Sequence, residues 1–243
     1  MTKQASDYRF GAILAAGGVG SRFTPGGNAQ PKQILELAGK PLYFWSLDRL
    51  YSHPRIARVV IVAHPSIIES MRAETSGVFS RDKLDLVEGG ASRQESVFCG
   101  LKRLTQSEPA IDFVLVHDAA RPFLSSAMID KTIDCVIEYG ACTVAVPVSD
   151  TVKRVKNGTI TDTIDRADLY AVHTPQAAKF DWLLSAHEAA IADGISATDD
   201  AFVLEHAGRQ VRIVEGDRYN IKVTVSQDLI LCNALAPNFI GQE

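Results

Sequence analysis

Glycines followed by cations at short spacing are the first residues in this chain that could do chemistry. Ala16-Gly17-Gly18-Val19-Gly20-Ser21-Arg22 follows an apolar run, and Pro31-Lys32-Gln33 closes the same loop. Glycines let backbone N–H groups come close to phosphate oxygens. Arg22 can fork onto such oxygens, and Lys32 adds a mobile point charge. A second group is His117-Asp118-Ala119-Ala120-Arg121-Pro122. A carboxylate at a strand end can hold Mg²⁺, which keeps water and binds through one or two carboxylates plus substrate phosphates. Arg121 can orient Asp118 or contact phosphate itself. His117 is expected to be structural, as a single histidine at a strand end. Thr151, Arg166, Thr174, Thr198 and Lys222 sit in further polar stretches. Singly, each is explained as a solvated charge, a turn or a cap, and Thr198 has the type and place of an N-cap.

Other phosphate and nucleophile motifs fail. The dinucleotide fingerprint would need glycine where Phe23 stands after Gly18 and Gly20. A P-loop needs Ser or Thr after Gly-Lys, but Gly39-Lys40 is followed by Pro41. No G-x-S-x-G elbow is present.

The elements that must position these residues alternate. Phe10–Ala16, 58–63, Leu84–Glu88, 112–117 and 141–148 have the apolar character of buried strands. Helices are expected over 41–53, 65–75, 92–104, Ser126–Tyr139, 179–193 and 198–206, with a last helix from Ser226. Ser92-Arg93-Gln94-Glu95 is a capping-box signature at the start of one of them. Strands separated by helices imply a mostly parallel sheet covered on both faces. The rhythm breaks at about 150–176. There, 152–155 and Thr159–Ile164 flank Asn157-Gly158, a hairpin turn signal. A β-hairpin arm is expected to protrude from one domain spanning 1–243. Ligands of open parallel sheets bind beyond the carboxyl ends of the strands, which is where the glycines, Asp118 and Arg121 collect.

With 243 residues the chain can bury a sizeable core. A net charge of −4 disfavours nucleic acid as the main partner. No apolar run approaches the roughly 18 residues of a membrane helix, and residues 1–10 are too polar for a secretory signal. The expectation is a cytoplasmic protein. Cys99, Cys135, Cys142 and Cys232 are scattered, which argues against a disulfide framework or a cysteine zinc site.

Taken together and in order, seven motifs make a specific pattern. They are G-G-V-G-S-R at 17–22 with P-K-Q at 31–33, G-G-A-S-R-Q-E-S-V at 89–97, H-D-A-A-R-P-F at 117–123 and D-T-V-K-R-V at 150–155. D-R-A-D-L-Y-A-V-H-T-P-Q at 165–176, T-D-D-A at 198–201 and E-G-D-R-Y-N-I-K-V-T at 215–224 complete the set. The set resembles the 2-C-methyl-D-erythritol 4-phosphate cytidylyltransferases of the non-mevalonate isoprenoid pathway, from about residue 10 to 229. The resemblance implies an α/β, Rossmann-like nucleotidyltransferase fold, Mg²⁺-dependent use of CTP and a polyol phosphate, and a homodimer whose arms complete each other's active sites. By position it implies that Arg22 and Lys32 are catalytic cations on the triphosphate and that Asp118 is the metal-associated aspartate, with Arg121 its neighbour. Ala16, Gly17, Gly18, Gly20, Gly90 and Ser96 match nucleotide contacts. Arg166 and Lys222 match the cations that position the polyol phosphate, with Thr151, Thr174 and Thr198 as polar partners around it. The A-G-G form of the loop is shared with ribitol-phosphate and sugar nucleotidyltransferases, and 23–30 is longer and richer in glycine than the family pattern.

Three other readings compete. A ribitol-5-phosphate cytidylyltransferase would run the same chemistry on another polyol, but 117–122 and 150–153 favour the methylerythritol reading. A non-catalytic nucleotide-binding relative would not need Arg22, Lys32, Asp118, Arg166 and Lys222 together. An NAD(P)-dependent oxidoreductase is opposed by the missing third glycine.

Overall fold

The computed structural model describes residues 5–18 and 32–240. A seven-stranded sheet runs through the molecule in the order β11-β7-β10-β6-β1-β4-β5. Its strands are β1 (Phe10–Ala16), β4 (Ile56–Ala63), β5 (Leu84–Glu88), β6 (Phe113–Asp118), β7 (Ala141–Pro147), β10 (Tyr170–Lys179) and β11 (Arg212–Glu215). All neighbours pair parallel except β10, which runs antiparallel between β6 and β7. The expected α/β class with a mostly parallel sheet is what the chain forms.

Side-chain alternation explains the layers. Along β1, Phe10, Ala12, Leu14 and Ala16 enter one core cluster, while Ile13 enters another on the opposite face. On β4, Val59, Ile61 and Ala63 face the first cluster, and Val60 and Val62 the second. Successive side chains of a strand point to opposite faces, so strands apolar at every position must be covered twice. Helices α1 (Leu42–Ser52), α2 (Ile68–Thr75) and α4 (Ser126–Tyr139) cover one face through Tyr43, Leu47, Met71, Met128, Ile129 and Ile133. On the other, α3 (Arg93–Leu104), α5 (Phe180–Ala192) and α6 (Asp200–His206) contribute Val97, Leu101, Leu183, Ala186, Val203 and Leu204. A satellite cluster joins Leu37, Trp45, Phe123 and Val223 to Cys232 on the last helix, α7 (Ser226–Leu235).

Local chemistry sets the boundaries. Ser92 caps α3 by accepting from Glu95 N at 3.1 Å. The return contact of Glu95 goes to the N–H of Ala91 at 2.9 Å, one residue earlier than the simplest capping box. Ser125 caps α4, and Gly140 ends it at φ 84°, a conformation that favours glycine. The hairpin of β8 (Val152–Lys156) and β9 (Thr159–Ile164) forms its own two-stranded sheet. Asn157 and Gly158 take φ 50° and 77° at its turn, the two positive values a tight hairpin loop needs.

The sequence reading differs from the fold at several places. It assigned no strand between 164 and 179, yet β10 lies in the middle of the sheet and carries 170–176 back into it. It missed the small pair β2 (Glu36–Leu37) and β3 (Lys40–Pro41). It gave α6 a Thr198 cap, but Asp199 fills that role, accepting from Phe202 N at 3.0 Å. No helix among the described residues is long and apolar enough to cross a membrane.

Candidate active site

The carboxyl ends of β1, β5 and β6 point to one edge of the sheet. There β1 runs into Gly17 and Gly18, β5 into Gly89 and Gly90, and β6 ends on Asp118. Because β10 is antiparallel, its leading half lies at this same edge. Thr174 on β10 accepts the N–H of Asp118 through its hydroxyl at 3.1 Å, and the same hydroxyl meets His117 Nδ1 at 3.0 Å.

Asp118 is 6% exposed and meets a cation on each carboxylate oxygen. Arg93 Nε donates to Oδ1 at 3.0 Å, and Lys222 Nζ donates to Oδ2 at 2.6 Å. Burial alone would raise the Asp118 pKa; the Arg93 guanidinium and the Lys222 ammonium outweigh it and hold the carboxyl well below the usual carboxylate range. The two cations thus favour the ionised carboxylate. Arg121, also buried, donates through Nη1 to the carbonyl of Asn220 at 2.7 Å. Asn220 in turn donates to Thr174 O at 2.7 Å, and Val223 N to Ala120 O at 2.8 Å. These bonds pin the 220–223 segment, and with it Lys222, against the end of β6. His117 lies fully buried with burial pushing its pKa down to about 4, and its Nε2 meets Arg121 O at 3.1 Å. It is a structural group, as the sequence suggested.

Close packing explains three of the glycines. A Cβ on Gly17 or on Gly89 would stand 2.6 Å from the hydroxyl of Ser96. Ser96 donates to Ser92 O at 2.8 Å, which holds its Oγ between the two loops. A Cβ on Gly90 would fall 2.3 Å from the Cβ of Glu95. Buried Gln33 donates to Gly18 O at 3.0 Å and so ties the far end of the glycine loop to its start.

The structure thus gathers Asp118, Lys222, Thr174 and Arg121, and sets Ala16, Gly17, Gly18, Gly90 and Ser96 along the same edge. Gly20 and Arg22 lie outside the described residues, and so does the side chain of Lys32. Thr151, Arg166 and Thr198 are exposed. Arg166 donates to Ser149 O at the base of the hairpin; among the described residues, no contact joins these three to Asp118. The sequence reading gave no role to Arg93, Gln176, His187, Asp200 or Asn220. Arg93, Gln176, Asp200 and Asn220 stood inside the motifs of the sequence pattern, but His187 had no signal beyond a helical position.

A magnesium ion suits this donor set. It takes few protein ligands and fills the rest with water and phosphate oxygens. Oδ1 of Asp118 is secured by Arg93, while Oδ2 is held by a lysine whose side chain is 35% exposed. Among the described residues no three His, Cys, Asp or Glu side chains gather as a metal cage.

Comparison with known proteins places the geometry in context. A family model described as 2-C-methyl-D-erythritol 4-phosphate cytidylyltransferase matches residues 10–237. A protein of that name from Geobacillus kaustophilus is 38% identical over 228 residues, covering 92% of this chain and 95% of the relative. The bifunctional enzyme IspD/IspF of Rhodospirillum rubrum is 41% identical over 218 residues; the match covers 90% of this chain and 54% of that protein, so the chain spans about half its length. Among solved structures, 4-diphosphocytidyl-2C-methyl-D-erythritol synthase from Anaerococcus prevotii superposes with a TM-score of 0.81 at 26% identity, covering 95% and 96% of the two chains. The 2-C-methyl-D-erythritol 4-phosphate cytidylyltransferase of Thermus thermophilus does so with 0.75 at 30%, covering 93% and 98%.

Proposed function

Since the chain belongs to the 2-C-methyl-D-erythritol 4-phosphate cytidylyltransferase family, we propose that the Asp118 edge is where it joins the cytidylyl group of CTP to 2-C-methyl-D-erythritol 4-phosphate. The products are 4-diphosphocytidyl-2-C-methyl-D-erythritol and pyrophosphate. The observation that carries this is the convergence of Arg93 and Lys222 on one strand-end carboxylate beside Gly17 and Gly18, with the buried Arg121 close enough to feel its charge.

A phosphate oxygen of the polyol phosphate attacks the α-phosphorus of CTP, the bond to the β-phosphate oxygen breaks, and pyrophosphate leaves. The attacking phosphate has a second pKa of about 6, so it is ionised near neutral pH and needs no general base. His117, buried and hydrogen-bonded at both ring nitrogens, is unsuited to that role. The obstacle is repulsion between two anions, about 4 kcal/mol per pair of unit charges at ~4 Å and an effective dielectric of ~20. Arg22 and Lys32 offset it on the triphosphate, and Lys222 and Arg166 hold the polyol phosphate in line. Thr151, Thr174 and Thr198 line the polyol side; Gly90 and Ser96 line the nucleoside side. Mg²⁺, held through Asp118, supplies further neutralisation of the phosphates when bound.

The same proposal includes a homodimer with exchanged arms, at work in the cytoplasm. An isolated two-stranded hairpin is marginal in water, and this one exposes Val155 at 57% and Ile160 at 60%. A second copy of the chain would cover them and bring Arg166 to the neighbouring site. All four cysteines are free thiols, as a reducing compartment requires.

The deciding experiment offers CTP with methylerythritol phosphate, ribitol phosphate or a sugar phosphate and scores pyrophosphate. Release with methylerythritol phosphate alone supports the proposal; a preference for ribitol phosphate overturns it.

A further inference from the structure

Asp118 is tied to a row of polar groups that leaves the site through the half-buried Arg93 and ends on buried residues inside the helical layer. Arg93 spans two carboxylates: Nε meets Asp118 Oδ1 at 3.0 Å and Nη2 lies 2.8 Å from Asp200 Oδ2. The other oxygen of Asp200 faces His187 Nε2 at 3.1 Å. Asp200 is 1% exposed and His187 0%. The backbone around Asp200 is anchored as well. Gln176 Oε1 accepts from Asp200 N at 2.7 Å and from Ala201 N at 3.0 Å, and Gln176 Nε2 donates to Asp199 at 2.9 Å.

Such a row is an expensive way to join α5 to α6. An ion pair out of water is often no more stabilising than apolar residues of the same volume. Its distinctive property is direction. A guanidinium is a rigid planar fork, so fixing one end at Asp200 fixes the angle at which the other end meets Asp118. Without Asp200, Arg93 would be free to place both arms on Asp118 and draw its second oxygen away from Lys222. Asp200 is held in turn by the imidazole, which donates through Nε2 because a carboxylate can only accept.

We infer that Asp200 and His187 are positioning residues: acting through Arg93, they fix Oδ1 of Asp118 and so leave Oδ2 as the oxygen that works in the site. The kinetic consequence rests on the cytidylyl-transfer reading; the geometric one does not.

The test uses the full-length protein and two readouts. One is the ¹⁵N-edited NMR signal of Arg93 Nε–H, assigned with Arg93→Lys. The other is steady-state kinetics with CTP and methylerythritol phosphate. Asp200→Asn keeps the shape and removes the charge. It is expected to shift the Arg93 signal and to lower kcat roughly 10- to 100-fold, the scale for losing an outer partner of a metal-site ligand, while KM for CTP stays near the wild-type value. His187→Gln, which keeps a donor near Nε2, is expected to retain clearly more kcat than His187→Leu. An unmoved Arg93 signal or a wild-type kcat in Asp200→Asn overturns the inference. Equal losses in the two His187 variants do the same, and decide the matter if Asp200→Asn does not fold. A wild-type protein that releases no pyrophosphate sinks the functional reading alone, since the Arg93 signal still reports on the row.

Discussion

His117 and Thr174 meet across the junction of β6 and β10, with Nδ1 and Oγ1 3.0 Å apart. The Arg121 carbonyl can only accept, so His117 donates to it through Nε2. Nδ1 of the neutral ring then accepts from the Thr174 hydroxyl, which itself accepts the N–H of Asp118. The neutral imidazole thereby holds the backbone of the site carboxylate in place.

Stability should therefore fall in mild acid. Burial pushes the His117 pKa from 6.5 to about 4. Between those values the unfolded chain binds a proton that the folded chain refuses, so stability is lost as pH drops from 6.5 toward 4 and levels off below. At about 1.4 kcal/mol per unit, the loss is about 3 kcal/mol. Urea denaturation across this window should show the stability gap between wild type and His117→Gln narrowing by that amount. Parallel curves would refute the claim.

Gly89→Ala should destabilise the fold by about 1–3 kcal/mol, the usual cost of overpacking, because its Cβ would press on the Ser96 hydroxyl. Adding Ser96→Ala removes the nearest atom and should recover part of the loss. A double-mutant cycle on denaturation midpoints measures the coupling, and strict additivity would show that the two residues do not conflict.

Lys32→Ala should lower kcat by roughly 10²-fold or more, the scale of one preorganised electrostatic contact. Near-wild-type turnover by a folded variant would remove Lys32 from the mechanism.

Arg166→Ala should impair use of the polyol phosphate while CTP binding stays intact. Mixing this variant with Lys32→Ala should restore some activity through hybrid dimers. No recovery, once subunit exchange is confirmed by mass, would rule out arm exchange.

Much of the scaffold was legible because buried strands and capped helices leave repeating signals. Ile13, Val60 and Val116 belong to continuous apolar runs, and Ser92 marks a helix start by its chemistry. Strand β10 was not legible, since Thr174, Pro175 and Gln176 interrupt any apolar pattern and proline argues against a central strand. The sheet accepts them because Gln176 is satisfied from α6 and Thr174 from β6. Thr198 and Asp199 are both good cap residues, and only the path of the chain selects Asp199. In the site, Asp118 and Lys222 stood out within motifs. Their link to Arg93, and through Asp200 to His187, joins residues as far apart in the chain as Arg93 and Asp200, and no spacing along a chain encodes that.

The reversed strand also governs how the hairpin can evolve. The chain leaves the sheet at the top of β7 and re-enters at the top of β10, so departure and return are neighbours on the same rim. No helix has to carry the chain back beneath the sheet, as a parallel successor would demand. Insertions or deletions in this excursion can therefore alter its length and tip chemistry while leaving the pairing of every core strand as it was.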